Sequence, residues 1–407
     1  MQDSFSFDYV IAGGGAAGLS LAWQMAHSSL RTKKILIIDA EEKNTNDRTW
    51  CFWSKSSPEF RSARKVSWQH IAIHSEKDTF VQHIHPYRYY YLPGADFYHE
   101  VKEVLKHCPT ISFLRANISG ISSTADYASV ETDLGTFTAR YVFNSLPKPV
   151  RLKPERHFFI KQHFCGWKIK TRNPVFAPDT VHWMDFRTSQ QKGVCFFYIL
   201  PFSDHEALVE YTAFAGSVFT EEEYTLGIEH YLYYNHGLAK TDYTIEETEQ
   251  GVIPMTNYPF NMRDGERIRN IGTRGGMTKP TTGYTFSNIQ EDSRKITALL
   301  EAGKPPFYKR NIPGRFAFYD NLLLYIITYR HPVVKSIMLN LFRSNRFTNI
   351  LVFLSERTHI LQEARIFITL PWPPFLKALY FYYIRPHLSN RKKPQPKRSS
   401  DVEKAEA

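Results

Sequence analysis

Two carboxylates lie on stretches that are otherwise apolar. Glu210 sits in EALVEYTAF, with Leu208, Val209, Tyr211 and Phe214 around it, and Asp185 sits in HWMDF. Both stretches read as strands. A carboxyl group enclosed by apolar side chains has a raised pKa, because burial disfavours its charged form. Such a group keeps its proton near neutral pH and can act as a general acid. The plainer reading of each is a strand carboxylate facing solvent. No Ser/His/Asp or Cys/His arrangement accompanies them. The 16 histidines show no metal-ligand spacing, so no metal is expected.

A second constellation opens the chain. In FDYVIAGGGAAGLSLAWQMA, the run Gly13, Gly14, Gly15, Ala16, Ala17, Gly18 contains G-x-G-x-x-G. The glycines permit a tight turn at Gly13, close approach of a pyrophosphate at Gly15 and close helix–strand packing at Gly18. Free N–H groups and partial positive charge at the following helix N-terminus suit phosphate. Asp39 ends the next apolar strand, Ile35 to Ile38, where a carboxylate can accept from a ribose diol. Strand, glycines, helix, second strand and terminal acid fall in the order of a nucleotide-binding βαβ unit.

The elements that must position these groups follow along the chain. NDRTWCFW, residues 46–53, is either a loop pinned by its aromatics or a cofactor-edge loop in which Arg48 meets phosphate or flavin. Residues 66–85 alternate like a strand pair, and 91–107 has helical spacing. Short strands are predicted at 111–113, 118–121, 128–131 and 136–142, the last returning to the first sheet. Four successive strands are predicted at 164–170, 179–186, 193–202 and 206–214, with a helix at 220–237 capped by Thr220. GTRGGMTKPTTGYTF, residues 272–286, precedes a helix at 286–300. Its Gly272, Gly275, Gly276, Met277 and Gly283 form a second loop whose N–H groups can face a phosphate or a ring system.

From Asp320 the chain is helical, aromatic and basic. No window is expected to supply the ~20 apolar residues of a spanning helix, because Arg330, His331 and Lys335 interrupt the best one. The helices either cap the core or lie in a membrane interface, where Trp372, Phe375 and Tyr380 with Lys377 and Arg385 suit lipid headgroups. The tail from residue 391 is expected to be disordered. In the 407 residues, Lys and Arg outnumber Asp and Glu by 51 to 40, a net charge of +11 that implies anionic partners. No helix-turn-helix, zinc-finger or RNA-binding signature appears, so nucleic acid is not expected. Four scattered cysteines are expected to be reduced thiols in a cytosolic chain without a signal peptide.

Taken together, GGGAAG, NDRTWCFW, WMDFR, FFYILPF, ALVEYT, GVIPM and GTRGGMTKPTTGYTF resemble the bacterial, FAD-dependent lycopene beta-cyclases, from Tyr9 to about Arg385. The resemblance implies an α/β fold: a Rossmann-like FAD-binding domain, an antiparallel β-sheet substrate layer and a C-terminal helical region, as in aromatic-hydroxylase-like flavoproteins. The expected division is FAD binding by 1–65, 88–150 and 251–300, a substrate sheet from 66–87 and 151–250, a membrane-associating helical cap at 301–390, and the tail at 391–407. The resemblance also implies lycopene as substrate, reduced FAD with NAD(P)H as reductant, and peripheral attachment to the cytoplasmic membrane near other carotenoid-pathway enzymes.

Under this resemblance Glu210 is the counterpart of the family's catalytic glutamate. Plant members carry a second acid where this chain has Tyr211. Aromatic hydroxylases carry an acid where it has Thr273. The implied reaction is proton-initiated ring closure without net redox change. Glu210 is the donor, and either Asp185 or the conjugate base of Glu210 is the final acceptor. Two other readings share the fold: a flavin monooxygenase acting on an apolar substrate, and a non-catalytic carotenoid- or lipid-binding flavoprotein.

Overall fold

The computed structural model describes residues 5–56 and 59–385. Its first sheet runs Ile111–Arg115, Ile35–Asp39, Phe7–Ala12, Gly135–Asn144, Ala128–Thr132, Ile118–Ser123, with the short strand Ile268–Asn270 beside the end of Gly135–Asn144. The first four strands are parallel. The inner ones are continuous apolar runs because both faces are covered. Helices Ala16–Ala26, Gly94–Lys106 and Phe286–Glu301 share the core on one face with Ile11, Ile37 and Phe143. The strand predicted to return to this sheet does so, with Asn144 opposite Ala12.

The second sheet runs Tyr243–Thr256, Phe159–Thr171, Glu206–Ala215, Val194–Pro201, Thr180–Asp185, His70–His74, Thr79–His83. The four strands predicted in succession are present here. Tyr243–Thr256 was not foreseen: it is an edge strand whose charged first half, TIEETEQ, is largely exposed, so it carries no apolar alternation. It also runs through the boundary expected at residue 251. Helix Glu221–His236 covers one face of the sheet. Thr220 closes a capping box with Glu223, and Gly237 ends the helix at φ 67°.

A three-stranded sheet, Thr49–Ser54, Arg88–Pro93 and Val66–Trp68, lies between the two. The segment TWCFW, expected as a loop, is thus a strand, and its alternation gives it two clients. Trp50 and Phe52 pack with the nucleotide-sheet core, and Cys51 and Trp53 pack with the aromatic cluster below the second sheet.

The C-terminal region is helical: Gly314–Arg330, Val334–Ser344, Phe347–Leu354, Ile360–Ile368 and Trp372–Leu379. The expectation that no window is apolar enough to cross a membrane is corrected. Gly314–Ser344 is long and apolar enough by length and composition, and 33% of its most apolar 18-residue stretch is buried inside the protein. Lys335 in that stretch is tied to Glu76 at 2.6 Å and to the Phe186 carbonyl at 3.0 Å. The tail at 391–407 lies outside the described residues.

Candidate active site

The N-terminal glycines form a cradle with one open position. A Cβ on Gly13 would lie 2.2 Å from Ser145 Oγ, and one on Gly18 would lie 2.0 Å from the Gly13 carbonyl oxygen. A Cβ on Gly15 would meet nothing within 4 Å. Helix Ala16–Ala26 starts at Gly15 with no side-chain cap and no acid in its first turn. Its first N–H groups therefore suit an anion. Asp39 Oδ2 accepts from the Gly14 N–H at 2.6 Å and Oδ1 from the Glu41 N–H at 2.8 Å. Beyond Asp39 lies a polar cleft of about 640 Å³ lined by Glu41, Lys43, Asp47, Arg48 and Arg115 among others. These residues fit the pyrophosphate and ribose of a dinucleotide.

The late glycine loop packs against this cradle: a Cβ on Gly272, at φ 61°, would lie 2.8 Å from Ala17 Cβ. Three of its expected N–H donors are engaged within the loop itself. The N–H groups of Gly275, Gly276 and Met277 donate to the carbonyls of Ile271, Thr273 and Gly272. The Met277 side chain is fully buried in the nucleotide-domain core. Gly283 is farther along, against the second sheet, where a Cβ would lie 2.5 Å from Gln162 Oε1. The loop thus bridges the cradle and the sheet, and delivers Tyr284.

Glu210 is on the face of the second sheet turned away from helix Glu221–His236. Its neighbours Val209 and Tyr211 pack under that helix. Tyr211 therefore points to the opposite face, where it stacks on Phe197 at 4.6 Å. Across the register, Gly166 faces Glu210 on one side and Glu249 on the other. Thr212 Oγ1 donates to Glu210 Oε1 and Thr49 Oγ1 to Glu249 Oε2, each at 2.5 Å. Glu249 Oε1 is buried without a hydrogen-bond partner. Burial, then the nearby Glu249 carboxyl, push the Glu210 pKa up to about 8, with Thr212 opposing. Burial also pushes Glu249 up. Such an acid holds its proton at neutral pH.

Aromatic rings line this face. Tyr198 is the cross-strand neighbour of Glu210, and its hydroxyl is hydrogen-bonded to that of Tyr284. Tyr284 lies parallel to Trp183 at 6.3 Å and edge-on to Trp53 at 4.9 Å. The arrangement can give up a proton in a poorly hydrated setting and hold a cation against ring faces.

Asp185 does not join this group. A β-bulge between His182 and Asp185 breaks the alternation that would align Asp185 with Trp183. The carboxyl turns to the helix side, where it accepts from Tyr231 Oη at 2.6 Å and from the fork of Arg187. Burial alone would raise its pKa, but these donors outweigh it and hold it below the ordinary value. Asp185 is thus a fixed anion. His74, His182 and Asp185 can each offer a ligand atom within 4.8 Å of one another. No spacing in the sequence signals that group, because two strands supply it.

Sequence reasoning missed Glu249, Thr49, Cys51, Tyr198 and Tyr284. The only cue was that all lie in stretches singled out on other grounds or next to them; the register that unites them is not local.

The comparisons agree with this architecture. A flavoprotein/dehydrogenase from Cytophaga hutchinsonii superposes with TM-score 0.61 at 11% identity, over 89% of this chain and 98% of that one. The p-nitrophenol 4-monooxygenase PnpA of Pseudomonas putida gives 0.55 at 11%, over 91% and 98%. At that identity they show the fold alone, the mixed α/β architecture described above. A lycopene beta-cyclase from Paracoccus sp. (strain N81106 / MBIC 01143) is 25% identical over 152 residues, 36% of this chain, and the match spans only 38% of that relative's length. The family model described as lycopene cyclase protein matches residues 8–380, and this chain belongs to that family.

Proposed function

We propose that this protein is a lycopene beta-cyclase: it converts the linear ends of lycopene to beta-ionone rings, giving gamma- and beta-carotene, with no net redox change. The observation that carries the reading is the place of Glu210: a half-buried carboxyl on the aromatic-lined face, across from Tyr198, whose pKa is pushed up by burial of its charged form and by the neighbouring Glu249. Glu210 gives its proton to the terminal double bond of the polyene. The neighbouring double bond closes the ring on the resulting cation, and a ring proton then leaves. Tyr198, Tyr284 and Trp183 exclude water and offer ring faces to the cation. FAD is the dinucleotide we assign to the cradle of Gly13 to Gly18 with Asp39 and Arg48. Held there in reduced form, with NAD(P)H as reductant, it would supply electron density that stabilises developing positive charge.

Lycopene is wholly apolar, so the enzyme must draw it from a bilayer. Support for peripheral docking at the cytoplasmic membrane comes from Ile360, Leu361, Ile368, Trp372 and Leu376, which are 53–77% exposed on two adjacent helices.

Expression in a lycopene-accumulating host, followed by pigment chromatography and mass measurement, tests the reading. A cyclic product isobaric with lycopene supports it. A product heavier by one oxygen supports a monooxygenase instead. Unchanged lycopene overturns both, and tight binding without turnover supports a carrier.

A further inference from the structure

We infer that Glu249 is a positioning residue that forms one acid–base unit with Glu210 across Gly166, so that Glu210 serves as both the proton donor and the proton acceptor of a turnover. The inference rests on the acid–base reading of Glu210 given above.

The geometry is specific. Glu210, Gly166 and Glu249 are successive cross-strand neighbours on three adjacent strands, so all three share one face. The middle residue has no side chain. A Cβ there would lie 3.0 Å from both Glu249 Cγ and Leu208 Cδ1. Any other residue at 166 would press on the Glu249 side chain, whose Oε1 would lie 3.3 Å from that Cβ. Each carboxyl has one threonine donor, and Glu249 Oε1 is left without one. Two carboxylates in such a place cannot both ionise easily, so the pair holds a proton.

The other titratable groups that feel the pair are Cys51, Cys165, Tyr91, Tyr198 and Tyr224. Burial pushes all five up, so they stay neutral through the physiological range. Glu247 acts on Glu249 from its own strand. Among the described residues, no lysine or arginine is one of the groups that shift either carboxyl.

In the one-proton form Glu249 carries the charge and Glu210 the proton. The Glu210 O–H bond breaks and a C–H bond forms at the less substituted carbon of the terminal double bond, which leaves a tertiary cation for the neighbouring double bond to attack. Both carboxylates then face the cation. After ring closure, a C–H bond beside the cation breaks, its electrons become the ring double bond, and the proton returns to Glu210. No electron and no net proton is exchanged, and no second base is needed.

The test is Glu249→Gln, with Glu249→Asp as the charge-keeping control. Two readouts are followed against pH: lycopene turnover, and the infrared carbonyl band of protonated carboxyl that disappears in Glu210→Gln. In Glu249→Gln the Glu210 titration and the alkaline edge of turnover are expected to move together, down by about one pH unit or more. Turnover at pH 8 then drops about fivefold or more and recovers at pH 6, whereas Glu249→Asp stays near the parent. Coincident titrations in parent and Glu249→Gln overturn the inference. If Glu249→Gln does not fold, Glu249→Leu, which leaves no unpaired acceptor, serves in its place: loss of the neighbouring charge must lower the edge, and an unmoved edge overturns the inference. A shifted infrared titration in a protein that never cyclises lycopene upholds the pair and removes the cyclase reading.

Discussion

Lys279 Nζ lies 2.9 Å from Asp320 Oδ1, and both side chains are only 8% exposed. Thr281 Oγ1 donates to the same carboxylate oxygen at 2.7 Å, and Glu356 holds Lys279 from a third segment at 3.0 Å. This buried cluster fastens the glycine loop, and with it Tyr284, to helix Gly314–Arg330. Opposite charge more than offsets the desolvation of Lys279, whose pKa is raised.

Removing one partner should therefore leave uncompensated buried charge. Lys279→Met is expected to destabilise the protein by about 3–5 kcal/mol. Adding Asp320→Leu should return part of that loss. Chemical denaturation of the two variants measures both, and equal stability of Lys279→Met and parent would contradict the clamp.

The raised pKa of Glu210 makes stability depend on pH in a defined direction. The folded state binds a proton more tightly than the unfolded chain, whose carboxyl titrates near 4.5. The contribution is fully present below pH 4.5 and lost as pH rises towards about 8. Glu210→Gln, which does not ionise, should melt higher than the parent at pH 8.5 and close to it at pH 4.5, while losing cyclisation at both. Melting curves at the two pH values decide this.

Asp185 predicts the opposite sign. Its folded pKa lies below the ordinary 3.8, so it stabilises above that value and the stabilisation fades as pH falls through the folded pKa. Asp185→Asn should lower the melting temperature at pH 7 by breaking the Arg187 and Tyr231 contacts. It should leave the alkaline edge of turnover where it is. A displaced edge would restore Asp185 as a proton acceptor.

The two glycines of the first turn should part company. Gly15→Ala meets open space, so it should fold normally and release flavin more readily. Gly18→Ala drives a methyl into the Gly13 carbonyl oxygen, so it should lose stability even without cofactor. Thermal melts of flavin-free protein alongside flavin retention during gel filtration separate the two outcomes.

Docking through the last helices is tested with vesicles. Leu361→Glu combined with Trp372→Glu puts charge on exposed positions, so the fold should survive. Co-sedimentation with anionic phospholipid vesicles should fall about tenfold or more. Unchanged sedimentation would move the docking surface elsewhere.

The amino-acid sequence by itself determined the parts governed by local rules. Glycine spacing, apolar runs and a terminal acid are contiguous features, so the cradle at Gly13 to Gly18, Asp39 and the parallel strands were legible before any coordinates. The capped helix at Glu221–His236 and the apolar setting of Glu210 were legible for the same reason. Tertiary structure alone decided which groups meet. A bulge of one residue turned Asp185 to the far face, and a long edge strand with no apolar period carried Glu249 to within one glycine of Glu210. Register and bulges depend on pairing between strands tens of residues apart. A linear pattern records which way each side chain alternates, but not which neighbour waits on that side.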